Sequence, residues 1–194
     1  MNIAIDIDDT LADSFDHFIP YLAEFYHADA EEMRRNNISY STLPKEWRKD
    51  IKTFGRTYYD TITPTTPFKP DAAWGVKTLH ERGHRIVIIT GRTTTVYTDP
   101  YKTTKGQLAR GGIIYDKLIC TMQKAEACLE EKIDLLIDDL PANCDAAAAQ
   151  GIDTLLFSSK GNRALSSSHR RVENWKETVE LVIQLEQART ATKF

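Results

Sequence analysis

The chain has 194 residues, with 25 Lys and Arg against 28 Asp and Glu, a formal net charge of -3, and 41% hydrophobic and 27% charged residues. That is the size of one well-cored domain with room for a small insertion, and it lacks the basic excess of a polynucleotide binder. No apolar run reaches the ~18 residues of a membrane span, and the amino terminus shows neither a basic region nor a cleavage site, so neither membrane nor secretion is expected and the expected compartment is the cytoplasm.

The first element, IAIDIDDTLAD from Ile3 to Asp13, runs an apolar strand (Ile3 to Ile7) into clustered carboxylates and a threonine. Side chains alternate across a strand, so Asp6 and Asp8 are expected to point the same way. Their mutual repulsion calls for a divalent metal, a shared proton or a nearby cation. Asp9 is a candidate turn or helix cap, and Thr10 is expected to shape the turn through its hydroxyl.

Residues 14 to 68 hold nothing resembling a buried strand and are too long for a loop. Phe15, Phe18, Ile19, Leu22, Phe25 and Tyr26 fall at helical spacing, as do Trp47, Ile51, Phe54, Tyr58 and Tyr59 between Leu43 and Ile62. A small helical unit is expected there, with the proline-rich Thr63 to Pro70 as its return linker. Phe18, Trp47, Phe54, Tyr58 and Tyr59 are candidates for stacking on a substrate ring, although aromatics at helical spacing more often build a core.

Strands are then expected at Arg85 to Thr90, Ile133 to Ile137 and Asp153 to Phe157, with a weaker one at Lys117 to Cys120. Helical patterns lie between them at Ala72 to Arg82, Tyr101 to Arg110, Gln123 to Glu131 and Ala142 to Gln150, the last ended by Gly151. A polar tail, Ser158 to Arg171, leads to a final helix near Trp175 to Leu185. The alternation implies an α/β fold, a doubly wound parallel sheet, with a helical cap inserted after the first strand. The expected division is 1–13 and 69–194 for the core and 14–68 for the cap. Cys120, Cys128 and Cys144 lack metal-ligand spacing and suit reduced, buried thiols.

In such a sheet ligands bind beyond the carboxyl ends of the strands. Those ends carry Asp6, Asp8, Asp9 and Thr10; then Thr90, Gly91 and Arg92; then Asp138 and Asp139, with Lys124 opening the helix after the Lys117 to Cys120 strand. Carboxylates with oxygen donors suit a hard cation, Mg2+ above all, because it keeps waters and a substrate phosphate among its ligands. A hydroxyl and a lysine beside it would complete a phosphate pocket. Lys102, Lys105 and Lys117 compete with Lys124 but read equally as surface lysines, and Arg92 could reach a phosphate or form a surface pair.

These motifs, in this order, resemble those of the haloacid dehalogenase (HAD) superfamily of phosphohydrolases: DIDDT at Asp6, Asp8 and Thr10; Thr90 closing IVIITGR; Lys124; and LLIDD at Asp138 and Asp139. The insertion after the first motif matches a helical cap of that superfamily. The resemblance implies a HAD-type Rossmann-like fold and a Mg2+-dependent phosphomonoesterase working through an aspartyl-phosphate. Asp6 would be the nucleophile and Asp8 the general acid and base. Thr90, Gly91 and Lys124 would bind phosphate. Mg2+ would be held by Asp6, the Asp8 carbonyl and the acidic pair, Asp139 before Asp138.

The short cap, the LLIDD motif and the terminal VENWKETVEL also resemble the 5'(3')-deoxyribonucleotidases and their bacterial relatives. That resemblance implies a nucleoside or deoxynucleoside monophosphate as the small phosphorylated substrate. Those enzymes carry a threonine-serine or similar pair where this chain has Thr90 and Gly91. The alternatives are a phosphatase for a non-nucleotide small ester or a non-catalytic metal- or phosphate-binding module. A phosphoacceptor signalling module fits worse, because its acidic acceptor follows the third strand and it has no cap. The leaving group and the oligomeric state are not encoded in the motifs.

Overall fold

The computed structural model describes residues 1–39 and 42–191. Six strands form one parallel sheet: β1 (Asn2–Ile5), β2 (Arg85–Thr90), β3 (Lys117–Cys120), β4 (Leu135–Asp138), β5 (Asp153–Phe157) and β6 (Arg170–Val172). Their order is β3-β2-β1-β4-β5-β6. The chain winds outward from β1 through β2 and β3, then crosses to β4 on the other side of β1. That reversal opens a crevice at the carboxyl end of β1, where open α/β sheets bind ligands.

Alternation along the strands sorts the core into two layers. Ile3, Ile5, Ile86, Ile88, Leu135 and Ile137 face one side, packed with Val76 and Leu79 of α5 (Ala72–Glu81) and Trp175 and Val179 of α9 (Trp175–Ala191). Ala4, Val87, Ile89 and Leu136 face the other, packed with Ala127 and Cys128 of α7 (Lys124–Glu130) and Ala147 of α8 (Pro141–Ala148). The central strands β1, β2 and β4 are therefore apolar on both faces, the pattern of a sheet covered on both sides. All three cysteines are free, and Cys128 and Cys144 are buried. β6, only RRV, was not expected; a three-residue edge strand with two arginines carries no readable period. The terminal helix also runs six residues past Leu185.

Between β1 and β2 lie α1 (Ser14–Tyr26), α2 (Ala30–Arg35), α3 (Lys45–Arg48) and α4 (Ile51–Ile62), followed by a 3-10 turn, Thr63–Thr65. They build an apolar cluster of their own from Phe15, Phe18, Leu22, Met33, Phe54 and Tyr59, joined by Tyr97 from the loop after β2. Trp47 stacks flat on Tyr26, ring centroids 4.4 Å apart and planes within 4°. Tyr97 stacks on Tyr59 at 5.3 Å and shares a 3.1 Å hydrogen bond with Thr63. Asp60 of α4 accepts the Thr98 N–H at 2.9 Å, just before α6 (Pro100–Arg110). The helical segment is thus pinned to the loop that leaves β2.

Candidate active site

β1 ends at Ile5, two residues earlier than its apolar pattern implies, although the Asp6 N–H still donates to the Ile137 carbonyl at 3.0 Å. The chain then turns. The N–H groups of Thr10, Leu11 and Ala12 all donate to the Ile7 carbonyl, and Asp9 takes a φ of 59°, a left-handed conformation that aspartate adopts more readily than most residues. The Asp9 carboxylate accepts the Phe15 N–H at 3.1 Å in the first turn of α1. Thr10 does not shape the turn through its hydroxyl: its Oγ1 is buried with no partner among the described residues. Its carbonyl is the fixed point, accepting the Trp175 Nε1–H at 3.1 Å.

Asp6 lies 2.7 Å from the Lys124 Nζ, which stands equally close to Asp138 Oδ2. Asp138 is fully buried and also accepts the Leu140 N–H at 2.8 Å and the Asn143 side-chain amide at 3.0 Å. The Asp139 carboxylate accepts from Ser159 Oγ at 3.0 Å, and its backbone carbonyl accepts from the Asn162 side-chain amide at 2.6 Å. Oxygens of Asp6, Asp138 and Asp139 lie within 4.8 Å of one another. One ammonium therefore pairs with two of three clustered, buried carboxylates. Burial pushes Asp6 up to about 7, and Asp138 and Asp8 add to that push while Lys124 opposes it. Burial, then the charges of Asp9, Asp138 and Asp6, raises Asp139 well above the usual carboxylate range. Such crowded hard oxygen donors fit a divalent cation, which would relieve the excess negative charge.

Asp8 has a different environment. Arg92 donates Nη2–H to Asp8 Oδ1 at 2.7 Å and Nε–H to Oδ2 at 3.0 Å, and Ser14 Oγ donates to Oδ1 at 2.6 Å. Burial raises the Asp8 carboxyl, but the Arg92 charge and hydrogen bonds outweigh it and hold the group below its ordinary value. Arg92 is not the surface pair its residue type favours. It is 2% exposed and donates a further hydrogen bond to Gln107 Oε1 at 2.6 Å.

A cavity of about 560 Å³ opens over these groups, within the usual span of small-ligand sites. Asp6, Asp8, Asp9, Gly91, Arg92, Lys124 and Asp139 line its floor, and Ile51, Lys52, Tyr59, Val96, Tyr97 and Met122 line its walls. Thr90 and Asp138, both expected in the site, lie beneath that floor and are fully buried; Thr90 Oγ1 has no partner among the described residues. Of the five aromatics considered for stacking, Tyr59 alone lines this cavity. Phe18 and Phe54 are buried in the helical cluster, and Trp47 and Tyr58 pack against it.

The model of the family described as "5' nucleotidase, deoxy (Pyrimidine), cytosolic type C protein" matches residues 1–189. The chain belongs to this 5'-nucleotidase family. It is a phosphoric monoester hydrolase. A predicted phosphatase from Clostridium acetobutylicum superposes with a TM-score of 0.66 at 12% identity, over 94% of this chain and 98% of its own. A haloacid dehalogenase-like hydrolase from Streptococcus pneumoniae gives 0.63 at 16%, over 93% and 97%. D,D-heptose 1.7-bisphosphate phosphatase from B. bronchiseptica, solved with magnesium and phosphate, gives 0.55 at 13%, over 95% and 99%. At these identities the structures share the fold. No curated protein sequence matches the chain. No helix among the described residues is long and apolar enough to cross a membrane.

For this 5'-nucleotidase family member, sequence reasoning underrated Arg92 and passed over Ser14, Gln107, Asn143 and Ser159. The available signal for Arg92 was its place, two residues past a strand end on the ligand-binding edge. Nothing local marks the other four, which reach the site from α1, α6, α8 and the loop after β5.

Proposed function

We propose that this phosphatase is a Mg2+-dependent, cytoplasmic nucleotidase that acts on nucleoside or deoxynucleoside monophosphates through an aspartyl-phosphate on Asp6. The observation that carries the reading is the Asp6–Lys124–Asp138 triad, which brings Asp6 and Lys124 together with Asp139 on the floor of a capped cavity. An Asp6 oxygen would attack phosphorus as the bond to the leaving oxygen breaks, and Asp8 would hand that oxygen a proton. In the second half a water attacks the acyl phosphate while Asp8 takes its proton, restoring the Asp6 carboxylate. Arg92 favours the Asp8 anion needed in the second half and opposes the acid needed in the first, so productive binding must loosen the pair. Lys124, with Thr90 and the Gly91 backbone, would hold the phosphoryl oxygens, where charge is spread in the transition state.

Asp6, the Asp8 carbonyl, Asp139 and Asp138 would hold the metal, and the three-carboxylate cluster supports that assignment. When bound, Mg2+ offsets the repulsion between the anionic nucleophile and the anionic phosphate. Residues 14–68 act in this reading as the cap that selects the leaving group, with Tyr59 and Tyr97 as the cavity's ring surfaces.

Phosphate release is the test, with deoxynucleoside, ribonucleoside, sugar and glycerol monophosphates assayed with and without Mg2+. The expected result is Mg2+-dependent turnover with nucleotides preferred. Asp6→Asn is expected to lower turnover by a factor on the order of 10⁴ or more while leaving the fold intact. Turnover of sugar phosphates alone would remove the nucleotide reading, and an active Asp6→Asn would remove the nucleophile assignment.

A further inference from the structure

Met122 is 73% exposed, more than any other large apolar side chain among the described residues. A single exposed apolar residue needs no explanation in itself. This one stands between β3 and α7, two residues before Lys124, and lines the same cavity as Asp6, Asp8 and Lys124. It continues the apolar wall that Ile51, Tyr59 and Val96 begin from the other side.

Gly91 supplies a second, independent observation. Its backbone lies outside the left-handed region, so conformation does not demand glycine there. A Cβ built on it would sit 3.2 Å from Met122 Sδ and 4.0 Å from Met122 Cε, with no other contact within 4 Å. The missing side chain thus leaves a bare floor on which the thioether rests.

We propose that Met122, seated on Gly91, is a specificity-determining residue that forms an adjustable apolar wall against the leaving group. Its ligand class is a leaving group with a flat apolar face, a nucleobase or an aryl ring, in preference to a small polyol. Methionine suits the task, being unbranched, polarizable and favourable against ring edges. The inference rests on the phosphomonoesterase reading above and deepens it.

The test compares kcat/KM for thymidine monophosphate, p-nitrophenyl phosphate and glycerol phosphate in the full chain with Mg2+. Comparing each ester across variants cancels its intrinsic reactivity. Met122→Ala is expected to lower the ring-to-glycerol ratio by about tenfold, mainly through KM for the ring esters, with Met122→Leu retaining most of it. Gly91→Ser, which must displace the thioether, is expected to lower the same ratio, and to lower it no further when Met122 is already alanine. A Met122→Ala ratio within about twofold of wild type overturns the proposal. Additive losses in the double variant overturn the role given to Gly91. A wild-type chain that hydrolyses none of the esters refutes the phosphomonoesterase reading itself, a result distinct from an unchanged ratio in an active enzyme.

Discussion

At the amino edge of the sheet the carboxylates end on cations and backbone N–H groups. Glu131 pairs with Arg85 at 2.6 Å and with Lys117, Asp134 holds the Asn2 N–H at 2.8 Å and Arg189 at 2.9 Å, and Asp116 accepts the Ile86 N–H at 2.7 Å. At the carboxyl edge, Asp6, Asp138 and Asp139 cluster around an ammonium that pairs with only the first two, and burial drives Asp6 and Asp139 upward. The same residue type thus ties the sheet together at one end and accumulates unrelieved charge at the other. Unrelieved charge costs stability and is tolerated where a ligand is to resolve it. The contrast sets the carboxyl edge apart by electrostatics, independently of any motif, and it is the edge at which the reaction is proposed.

Removing the shared cation should break this contrast most violently. Lys124→Met strips the ammonium from two buried carboxylates, with the lysine itself 7% exposed. Breaking a buried pair from one side costs about 3 to 5 kcal/mol. Loss of a fixed donor to the phosphoryl group costs about 10² to 10³ in kcat. Chemical denaturation and a phosphate-release assay on the same variant separate the two effects. Stability equal to wild type would show that the triad is not the electrostatic keystone of that edge.

Much of this edge was legible in the sequence because the motifs are local. DIDDT and LLIDD place each carboxylate within a few residues of an apolar strand, and strand ends share an edge in any doubly wound sheet. Lys124 follows by the same logic. What stayed hidden depends on long-range folding. Arg92 looks like any arginine in a loop until that loop folds against Asp8, and Ser159 meets Asp139 only because β5 lies beside β4. The helical unit was legible as aromatics at helical spacing, but spacing does not say which rings are consumed by one another. Trp47 stacks on Tyr26 and Phe54 meets Tyr59 edge to face, and of the candidate rings Tyr59 still reaches the cavity.

A gentler change at the chemical edge should have the opposite sign for stability. Asp139→Asn preserves volume and an acceptor for Ser159 while removing a charge that burial, Asp9, Asp138 and Asp6 all disfavour. A carboxyl whose folded pKa lies above its unfolded value costs stability at any pH above the unfolded value, so neutralising it gains stability at neutral pH. In metal-free buffer the variant is expected to melt a few degrees above wild type, the size of about 1 kcal/mol in a chain of this length. Added Mg2+ should reverse the order, raising the wild-type Tm by ligand linkage and the variant's little, while turnover falls in the variant. A variant less stable than wild type in both buffers would mean that Asp139 is a structural anchor.

The amino edge offers the smallest effect and the converse pH dependence. Glu131 is held below its ordinary value of 4.5 by hydrogen bonds from Lys117 and then Arg85. A carboxyl with a depressed folded pKa contributes stability that is fully present above its unfolded value and lost as pH falls through the folded one. Glu131→Gln is therefore expected to be slightly less stable than wild type near neutral pH. The difference should close as the pH is taken below 4.5, because protonation then removes the same charge from the wild type. High salt should narrow it as well, since Lys117 is about half exposed, at 48%, and the pair is open to screening. Urea unfolding at two pH values reads this directly. A gap that widened on acidification would mean that Glu131 is strained like its counterparts at the opposite edge, and the division of labour between the two ends of the sheet would fail at its plainest point.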